Sequence, residues 1–430
     1  MEKIVIAAKR ALGLRIPAVK TDECAAPTPA SLQGLPFELK VAVLKSLPGI
    51  LALKSLVLAS KEYFIVYHQA QNLILSSILQ AELRPAVLCE AISVRKARDF
   101  PPKDKESVVR FLNDYKIGRS SQPGIEALDL ASLVSMSKMQ YLVETAAERY
   151  SASIITTNPR TGQPDDFPGP LSKNEKRRLY RAFYRLELFC LVFTRFNRHN
   201  KQIQGLPLNE ADQLSYYANR MARIFLGLFS PWQVEEMTCI RNWMIEYYAR
   251  ALTRRKEEID ALHHKHCGSE LEPWSPIQYR RMGYESDFRS HPLFQHKRND
   301  EAAERLLSLG LNFFHKATRK FHIDPNVKID LHPDLGVKQG FLTDTLYEYR
   351  DQQHYSRTLQ TRFASDESGP SAGWDWCRAI RENRAHHHWH VEELRGIGYV
   401  MWDRERLLGW EILDMDPDDL ASDLEERRQP

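Results

Sequence analysis

The sequence predicts a mainly α fold, in which an N-terminal module of three short helices precedes a larger, irregular helical domain. Two helix starts followed by apolar residues at helical spacing indicate the helices of the larger domain. Leucine-dense runs separated by short breaks indicate those of the module. Runs of β-branched residues bounded by turns are nearly absent, so strands are not predicted. Only residues 396–402 are ambiguous, because Gly396 and Gly398 weaken a helix there.

The composition is that of an ordinary globular protein of 430 residues, 43 % of them apolar and 27 % charged. The net charge of +4 is too small to indicate nucleic-acid binding by itself. The six cysteines are scattered, which predicts reduced, buried thiols rather than disulfides or a zinc ribbon. No uncharged stretch is long enough to cross a membrane, so we expect an intracellular protein, cytoplasmic or nuclear.

Residues 1–31 are predicted to be a flexible leader that ends in a proline-containing stretch at residues 25–29. Its basic start is also compatible with a mitochondrial presequence, although a frayed tail or a short surface helix is the preferred interpretation. Residues 32–83 follow as the three-helix module, because Pro36 suits a first helical turn and Pro48-Gly49 ends the first helix. Three short helices cannot bury all of their leucines among themselves, so some must contact another domain or another chain.

This module resembles the F-box, the helical domain that docks onto the linker subunit of cullin–RING ubiquitin ligases. The matching residues are Leu35-Pro36-Phe37-Glu38-Leu39, Val43-Leu44, Leu47, Leu53-Lys54-Ser55-Leu56 and Ser60-Lys61. The chain departs from the family pattern in two places. Gly49-Ile50-Leu51 replaces an acidic residue and leucine in the second loop, and Tyr63 or Phe64 replaces the usual tryptophan of the third helix. The alternative interpretation is a plain three-helix segment that packs on the rest of the chain.

The remainder of the chain is similar to fungal F-box-like proteins, which carry a long helical C-terminal region. The similar phrases are residues 179–185, 229–232, 371–374 and 398–403. The resemblance implies a target-binding helical domain over residues 84–413, with largely undefined partners. A Pro- and Gly-rich stretch predicts a mobile loop at residues 156–170, and residues 414–430 are predicted to be an acidic tail that forms a short helix.

Two helices of this domain have well-marked starts. Ser172 and Glu175 have the spacing of a capping box, and Ser230-Pro231 repeats the arrangement with proline at the first helical position. The apolar stripe of the first helix consists of Leu179, Phe183, Leu186, Cys190 and Phe193. Its other side carries a basic run with interleaved tyrosines: Lys173, Lys176, Arg177, Arg178, Arg181 and Arg185. We interpret this run as the solvated face of the helix, and a nucleic-acid or acidic-partner surface as the alternative.

Four other patterns do not support a site. Gly369-Pro370-Ser371-Ala372-Gly373 fits G-x-S-x-G, but a polar segment precedes it where a nucleophile elbow needs a strand. The histidines at residues 263–266 and 386–390 lack the paired spacing of a zinc site. The carboxylates of residues 414–425 have Asp419 where a calcium loop needs glycine. The late tryptophans are expected in the core, although an exposed subset would suit protein recognition.

The sequence therefore predicts a non-catalytic adaptor that recruits a target protein to an SCF-type ubiquitin ligase. The residues expected to bind the linker subunit, and through it the cullin, are Leu35, Pro36, Leu39, Val43, Leu44, Leu47, Leu53 and Leu56. No catalytic residue, metal or cofactor is expected, and no membrane partner. The target protein, any phosphate requirement and the oligomeric state stay open. The alternative is a helical scaffold or nucleic-acid-associated protein in which the F-box-like segment is only structural.

Overall fold

The computed structural model describes residues 32–99, 105–121, 124–125, 128–165, 169–194, 224–267, 303, 306–320, 370–381 and 391–428. The predicted leader, residues 1–31, lies outside these ranges. The α-helices are α1 Phe37–Lys45, α2 Ile50–Ala59, α3 Lys61–Gln69, α4 Gln71–Asp99, α5 Lys105–Ser121, α6 Leu130–Ile154, α7 Lys173–Phe189, α8 Pro231–Cys267, α9 Gly310–Lys320, α10 Ala372–Arg381, α11 Val391–Gly396, α12 Arg404–Gly409 and α13 Pro417–Arg428. A 3₁₀ turn, Leu32–Gly34, precedes α1, and a π-helix, Cys190–Thr194, continues α7.

The described part of the chain contains no strand, which confirms the mainly helical prediction. An isolated antiparallel bridge joins Thr157 to Pro164. The chain divides into two compact units, one of residues 1–88 and 124–141, the other of residues 89–123 and 142–430. Helix α4 runs without a break across the boundary predicted after residue 83.

The N-terminal unit contains three short helices in which α3 packs against both α1 and α2. Each helix contributes side chains to a common core: Val41 and Leu44 from α1, Ile50, Leu53 and Val57 from α2, and Tyr63, Val66 and Tyr67 from α3. The Tyr63 hydroxyl donates to the Leu32 carbonyl at 3.2 Å and so ties the 3₁₀ turn to α3. Lys54 lies 4.0 Å from the centre of the Tyr141 ring, a cation–π contact between α2 and α6.

A side-chain cap explains why α3 starts at the Ser60-Lys61 step. Ser60 is extended and its hydroxyl oxygen accepts from the Tyr63 N–H, which caps the helix. The Ser60 hydroxyl also donates to Glu62 at 2.9 Å. Hydrogen bonds from its own backbone N–H and from Ser60 hold the pKa of the Glu62 carboxyl below its ordinary value.

Helix α7 lies in the core of the C-terminal unit and packs against α8 and α9. The predicted capping box is confirmed: the Ser172 hydroxyl accepts from the Glu175 N–H at 3.1 Å, and the Glu175 carboxylate accepts from the Ser172 N–H at 2.9 Å. The apolar stripe from Leu179 to Phe193 is buried, as predicted.

Three arginines on the opposite side of α7 are buried as well, so the solvated face predicted there is wrong for Arg178, Arg181 and Arg185. Arg181 and Arg185 are each 2 % exposed. Arg181 donates to both carboxylate oxygens of Glu236, at 2.6 and 2.9 Å, and Arg185 donates to Glu90 at 2.8 Å. A buried charge is costly unless a partner compensates it, and these partners lie on other helices, where periodicity along α7 cannot reveal them.

Further ion pairs connect both ends of α7 to distant parts of the same unit. Arg178 donates to Asp403 at 2.8 Å, and Arg98 donates to Glu187 at 2.7 Å. The Glu187 carboxylate also accepts from the Leu311 N–H at 2.7 Å, at the start of α9. These contacts join α7 to residues that are 89 to 225 positions away in the chain.

Glu175 predicts a pH dependence of stability. Its burial opposes ionisation, but hydrogen bonds from Arg406, Ser172 and Asp403 outweigh it, so the pKa of Glu175 lies below its ordinary value of 4.5. A carboxyl with a lowered folded-state pKa stabilises the fold above its unfolded-state pKa, and this contribution is lost as the pH falls through the folded pKa.

We therefore expect Glu175→Gln to lower the free energy of unfolding at pH 7, and the difference from the wild type to shrink below about pH 4.5. Denaturant titrations across this pH range measure the difference. A difference that is independent of pH would contradict the role of the Glu175 charge.

The predicted loop at residues 156–170 lies between α6 and α7, and its described residues form no helix. Arg427 of α13 donates to the Pro159 carbonyl at 2.8 Å, and the Trp410 indole N–H donates to Asp165 at 3.0 Å. The short helix predicted in the acidic tail is α13.

Candidate functional site

Helix α1 presents two apolar faces. Val41 and Leu44 point into the core of the N-terminal unit, and Leu44 is completely buried. Leu39 and Val43 are one turn apart on another side of α1, and Leu35 and Leu47 continue the interval of four residues just before and just after the helix. We call these four residues, together with Pro36, the α1 outer face. Phe37 does not belong to it, because Phe37, Val41 and Leu44 are three or four residues apart and share the side of α1 that faces the core.

The α1 outer face is open to solvent in its central part. Leu39 is 51 % exposed, and Phe37, at the start of the helix on the core side, is 41 % exposed. Pro36 is exposed, whereas Leu35, Val43 and Leu47 are half-buried. A large apolar side chain exposed on a helix whose other side is already buried indicates a candidate protein-binding surface.

Two of the predicted linker-binding residues have a different place. Leu44 is in the core, and Leu53 of α2 is only 4 % exposed. Leu56 of α2 is half-buried. Leu44 and Leu53 therefore pack in the core of the N-terminal unit and are not part of the exposed candidate binding surface. Leu39 and Leu44 lie on different sides of α1, and the packing of α3 against α1 determines which side is covered.

Exposed apolar residues are concentrated in this part of the chain. Among the described residues, ten large apolar side chains are exposed, and six of these lie between residues 32 and 73: Leu32, Phe37, Leu39, Leu58, Ile65 and Leu73. Leu58, Ile65 and Leu73 were not predicted to belong to a site. Concentrated exposed apolar surface is typical of a protein-binding region. Phe37 was quoted in the motif but was not among the residues predicted to bind.

Half of the basic run of α7 is not exposed to a nucleic acid. Arg178, Arg181 and Arg185 are buried and paired with carboxylates. Lys173 and Lys176 are exposed, and Arg177 is half-buried. The three buried arginines cannot contact phosphates without breaking their ion pairs, so the alternative predicted for this run is wrong for them.

The G-x-S-x-G pattern has a structural explanation. Ser371 is buried, and its hydroxyl oxygen accepts from the Trp374 N–H at 3.3 Å, which caps α10. Trp374, Trp376, Trp402 and Trp410 are all buried, as the core prediction requires. The side chains of both histidine clusters lie outside the described residues. Elsewhere in the described ranges, no group of three His, Cys, Asp or Glu residues is arranged to hold a metal ion.

The described cysteines, Cys89, Cys190, Cys239 and Cys377, are buried and free of disulfides. Burial raises the pKa of the Cys89 thiol to about 12, with the Glu90 carboxylate as the second cause, so this thiol is protonated at neutral pH. A buried, protonated thiol is a packing group and not a nucleophile.

None of the helices within the described ranges is both long enough and apolar enough to span a bilayer. Comparisons of the chain with protein-family models, with curated proteins and with solved structures found no match.

Proposed function

We propose that the chain is a non-catalytic adaptor, and that its α1 outer face docks onto the linker subunit of a cullin–RING ubiquitin ligase. The observation that carries the proposal is the solvent exposure of Leu39 and Pro36 on a helix whose other side, with Val41 and Leu44, already fills the core. The spacing of Leu35-Pro36-Phe37-Glu38-Leu39 and of the residues after it, which resembles the F-box, supports the choice of partner.

The adaptor would act through proximity. The N-terminal unit binds the ligase, and the C-terminal helical domain holds a target protein. A lysine of the bound target then meets the ubiquitin-charged enzyme at a high effective concentration. This role requires no chemistry from the chain itself, only two binding surfaces on stable supports.

On α1, the residues proposed to bind the partner differ from the residues that stabilise the fold. A leucine that enters a partner's pocket contributes to binding in proportion to the apolar area removed from water, about 25 cal/mol per Å². Leu39 can make this contribution because it is exposed in the free chain. Leu44 cannot, because its side chain is already buried against the N-terminal core. The two residues therefore form a matched pair for experiment.

We expect the triple variant Leu35→Ala/Pro36→Ala/Leu39→Ala to lose most of its binding to the linker subunit in a pull-down, with an affinity lowered by at least about tenfold, since interface hot spots contribute about 2 kcal/mol or more. Its melting temperature should fall less than that of Leu44→Ala, because Pro36 and Leu39 are exposed and Leu35 is half-buried, whereas Leu44 is completely buried. The control is Leu408→Ala, which removes a leucine that is 44 % exposed in the C-terminal unit. This variant should bind like the wild type.

The variant Leu44→Ala should show the larger fall in melting temperature, from a cavity in the core. Equal recovery of the linker subunit by the wild type and the triple variant would refute the proposal. A chain that binds no linker subunit at all would favour a helical scaffold, in which the three-helix segment is only structural.

A further inference from the structure

The residue that caps the N-terminus of α8, Ser230, uses its backbone carbonyl but not its side-chain hydroxyl. Ser230 is the residue before the helix, and its carbonyl accepts from the Gln233 N–H at 3.0 Å and from the Val234 N–H at 3.1 Å. The sequence predicts that its hydroxyl caps the helix in the manner of Ser172. Instead, the Ser230 hydroxyl is buried and has no hydrogen-bond partner among the described residues. This hydroxyl lies at the positive end of a helix of 37 residues.

Two more buried polar groups near this end of α8 lack partners in the described part of the chain. They are the indole N–H of Trp232 and the hydroxyl of Tyr115. The Tyr115 ring lies 6.0 Å from the Phe225 ring and 6.3 Å from the Phe229 ring, next to Ser230. Burial raises the pKa of Tyr115, so its phenol keeps its proton and stays a donor. Unsatisfied buried donors are rare in folded proteins.

A cation lies at the same place. The Arg119 guanidinium is 5.0 Å from the centre of the Phe229 ring and donates to the Leu228 carbonyl. Arg185 lies 4.2 Å from the same ring, but its charge is paired with Glu90. Within the described ranges Arg119 makes no ion pair with a carboxylate, and it is half-buried, so solvent can reach it.

The Arg119 charge at this end of α8 has no carboxylate partner among the described residues, because Glu90, Glu235 and Glu236 pair with Arg185, Arg395 and Arg181. The N-terminus of a helix carries roughly half a positive charge, and a cation beside it is repelled. Arg119 adds a full positive charge at that end, and the donors of Ser230, Trp232 and Tyr115 add partial ones. An oxyanion would accept hydrogen bonds from these donors and offset both positive charges.

We propose that the N-terminus of α8, with Arg119 and Ser230, binds a phosphate-like oxyanion. The chemical class is a tetrahedral anion that accepts several hydrogen bonds, either free phosphate or the phosphoryl group of a modified side chain. This site is independent of the α1 outer face and does not rest on the adaptor function.

The experiment measures the melting temperature of the full chain as inorganic phosphate is increased, with sodium chloride adjusted to keep the ionic strength constant. We expect a saturable rise for the wild type, because a ligand of the folded state stabilises it by mass action. In Arg119→Gln the half-saturating phosphate concentration should be about tenfold higher, since a hydrogen bond to a charged group contributes roughly 1.4 kcal/mol or more. The control Arg110→Gln removes an exposed charge from the same helix and should respond like the wild type.

Ser230→Ala is the second test variant, and it tests the proposal even if Arg119→Gln folds poorly. Loss of a buried hydroxyl without a partner should leave the melting temperature unchanged or raise it in the absence of phosphate. The response to phosphate should nevertheless weaken. A second titration with O-phosphoserine distinguishes the source, because a stronger response to phosphoserine than to phosphate indicates a modified side chain. A flat wild-type response to both anions, or the same rise in all variants, would overturn the proposal.

Discussion

Glu236→Gln is expected to lower the free energy of unfolding by about 3–5 kcal/mol, because it leaves the Arg181 charge buried without its counter-charge. Both side chains of this pair are 2 % exposed, and three hydrogen bonds of 2.6–3.1 Å connect them. Glutamine keeps the shape and removes the charge. Denaturant unfolding followed by circular dichroism at 222 nm, the usual wavelength for helix content, measures the change.

The double variant Arg181→Met/Glu236→Leu separates a charge effect from a packing effect. Replacement of both partners by apolar groups of similar volume removes the unpaired charge, so most of the lost stability should return. Glu246→Gln is the matched control, because Glu246 forms an ion pair with Arg250 at the surface. It should change stability very little, as exposed ion pairs contribute little. An effect of Glu236→Gln as small as that of Glu246→Gln would show that the buried pair is not needed.

Gly398→Ala is the second variant for which we expect a large loss of stability, about 2–5 kcal/mol. Gly398 has a φ of +63°, in the left-handed region that side chains rarely adopt. A Cβ atom at this position would lie 2.3 Å from the Tyr150 hydroxyl oxygen. The variant therefore combines backbone strain with a clash, and thermal or chemical unfolding measures their sum.

Gly169→Ala isolates the backbone contribution, because Gly169 has a nearly identical φ of +62° and nothing within 4 Å of its Cβ position. It should cost roughly 1 kcal/mol. Tyr150→Phe removes the clashing oxygen, which has no hydrogen-bond partner among the described residues. The double variant Gly398→Ala/Tyr150→Phe should therefore recover part of the loss. If Gly398→Ala behaves like Gly169→Ala, the close approach of Tyr150 has no energetic consequence.

Helix starts were predictable because they depend on residues three or four positions apart. The capping box of Ser172 and Glu175 forms as the sequence indicates, since both of its hydrogen bonds are local. Ser230 has the same local sequence signal, and α8 does begin at Pro231. Its hydroxyl nevertheless makes no cap bond, because the Ser230 carbonyl alone accepts the Gln233 and Val234 N–H groups. Local sequence therefore determined where the helix begins and not how the cap is made.

The candidate docking residues were predictable as a set but not one by one. The spacing of Leu35, Leu39 and Leu47 indicated an apolar helix with more leucine than three helices can bury. That Leu44 fills the core while Leu39 meets solvent depends on where α3 packs. Leucine is chemically the same residue on either side of α1, so its role follows only from its neighbours in space.

The sequence by itself determined that the chain is helical, where several helices start, and that the first helices carry surplus apolar side chains. These properties depend on backbone hydrogen bonds and side-chain spacing within a few residues. Only the tertiary structure decided that Arg181 and Arg185 are buried, because Glu236 and Glu90, which compensate their charges, are 55 and 95 residues away. A charged side chain is placed in water or in the core according to whether such a partner is present, and that is a property of the whole fold.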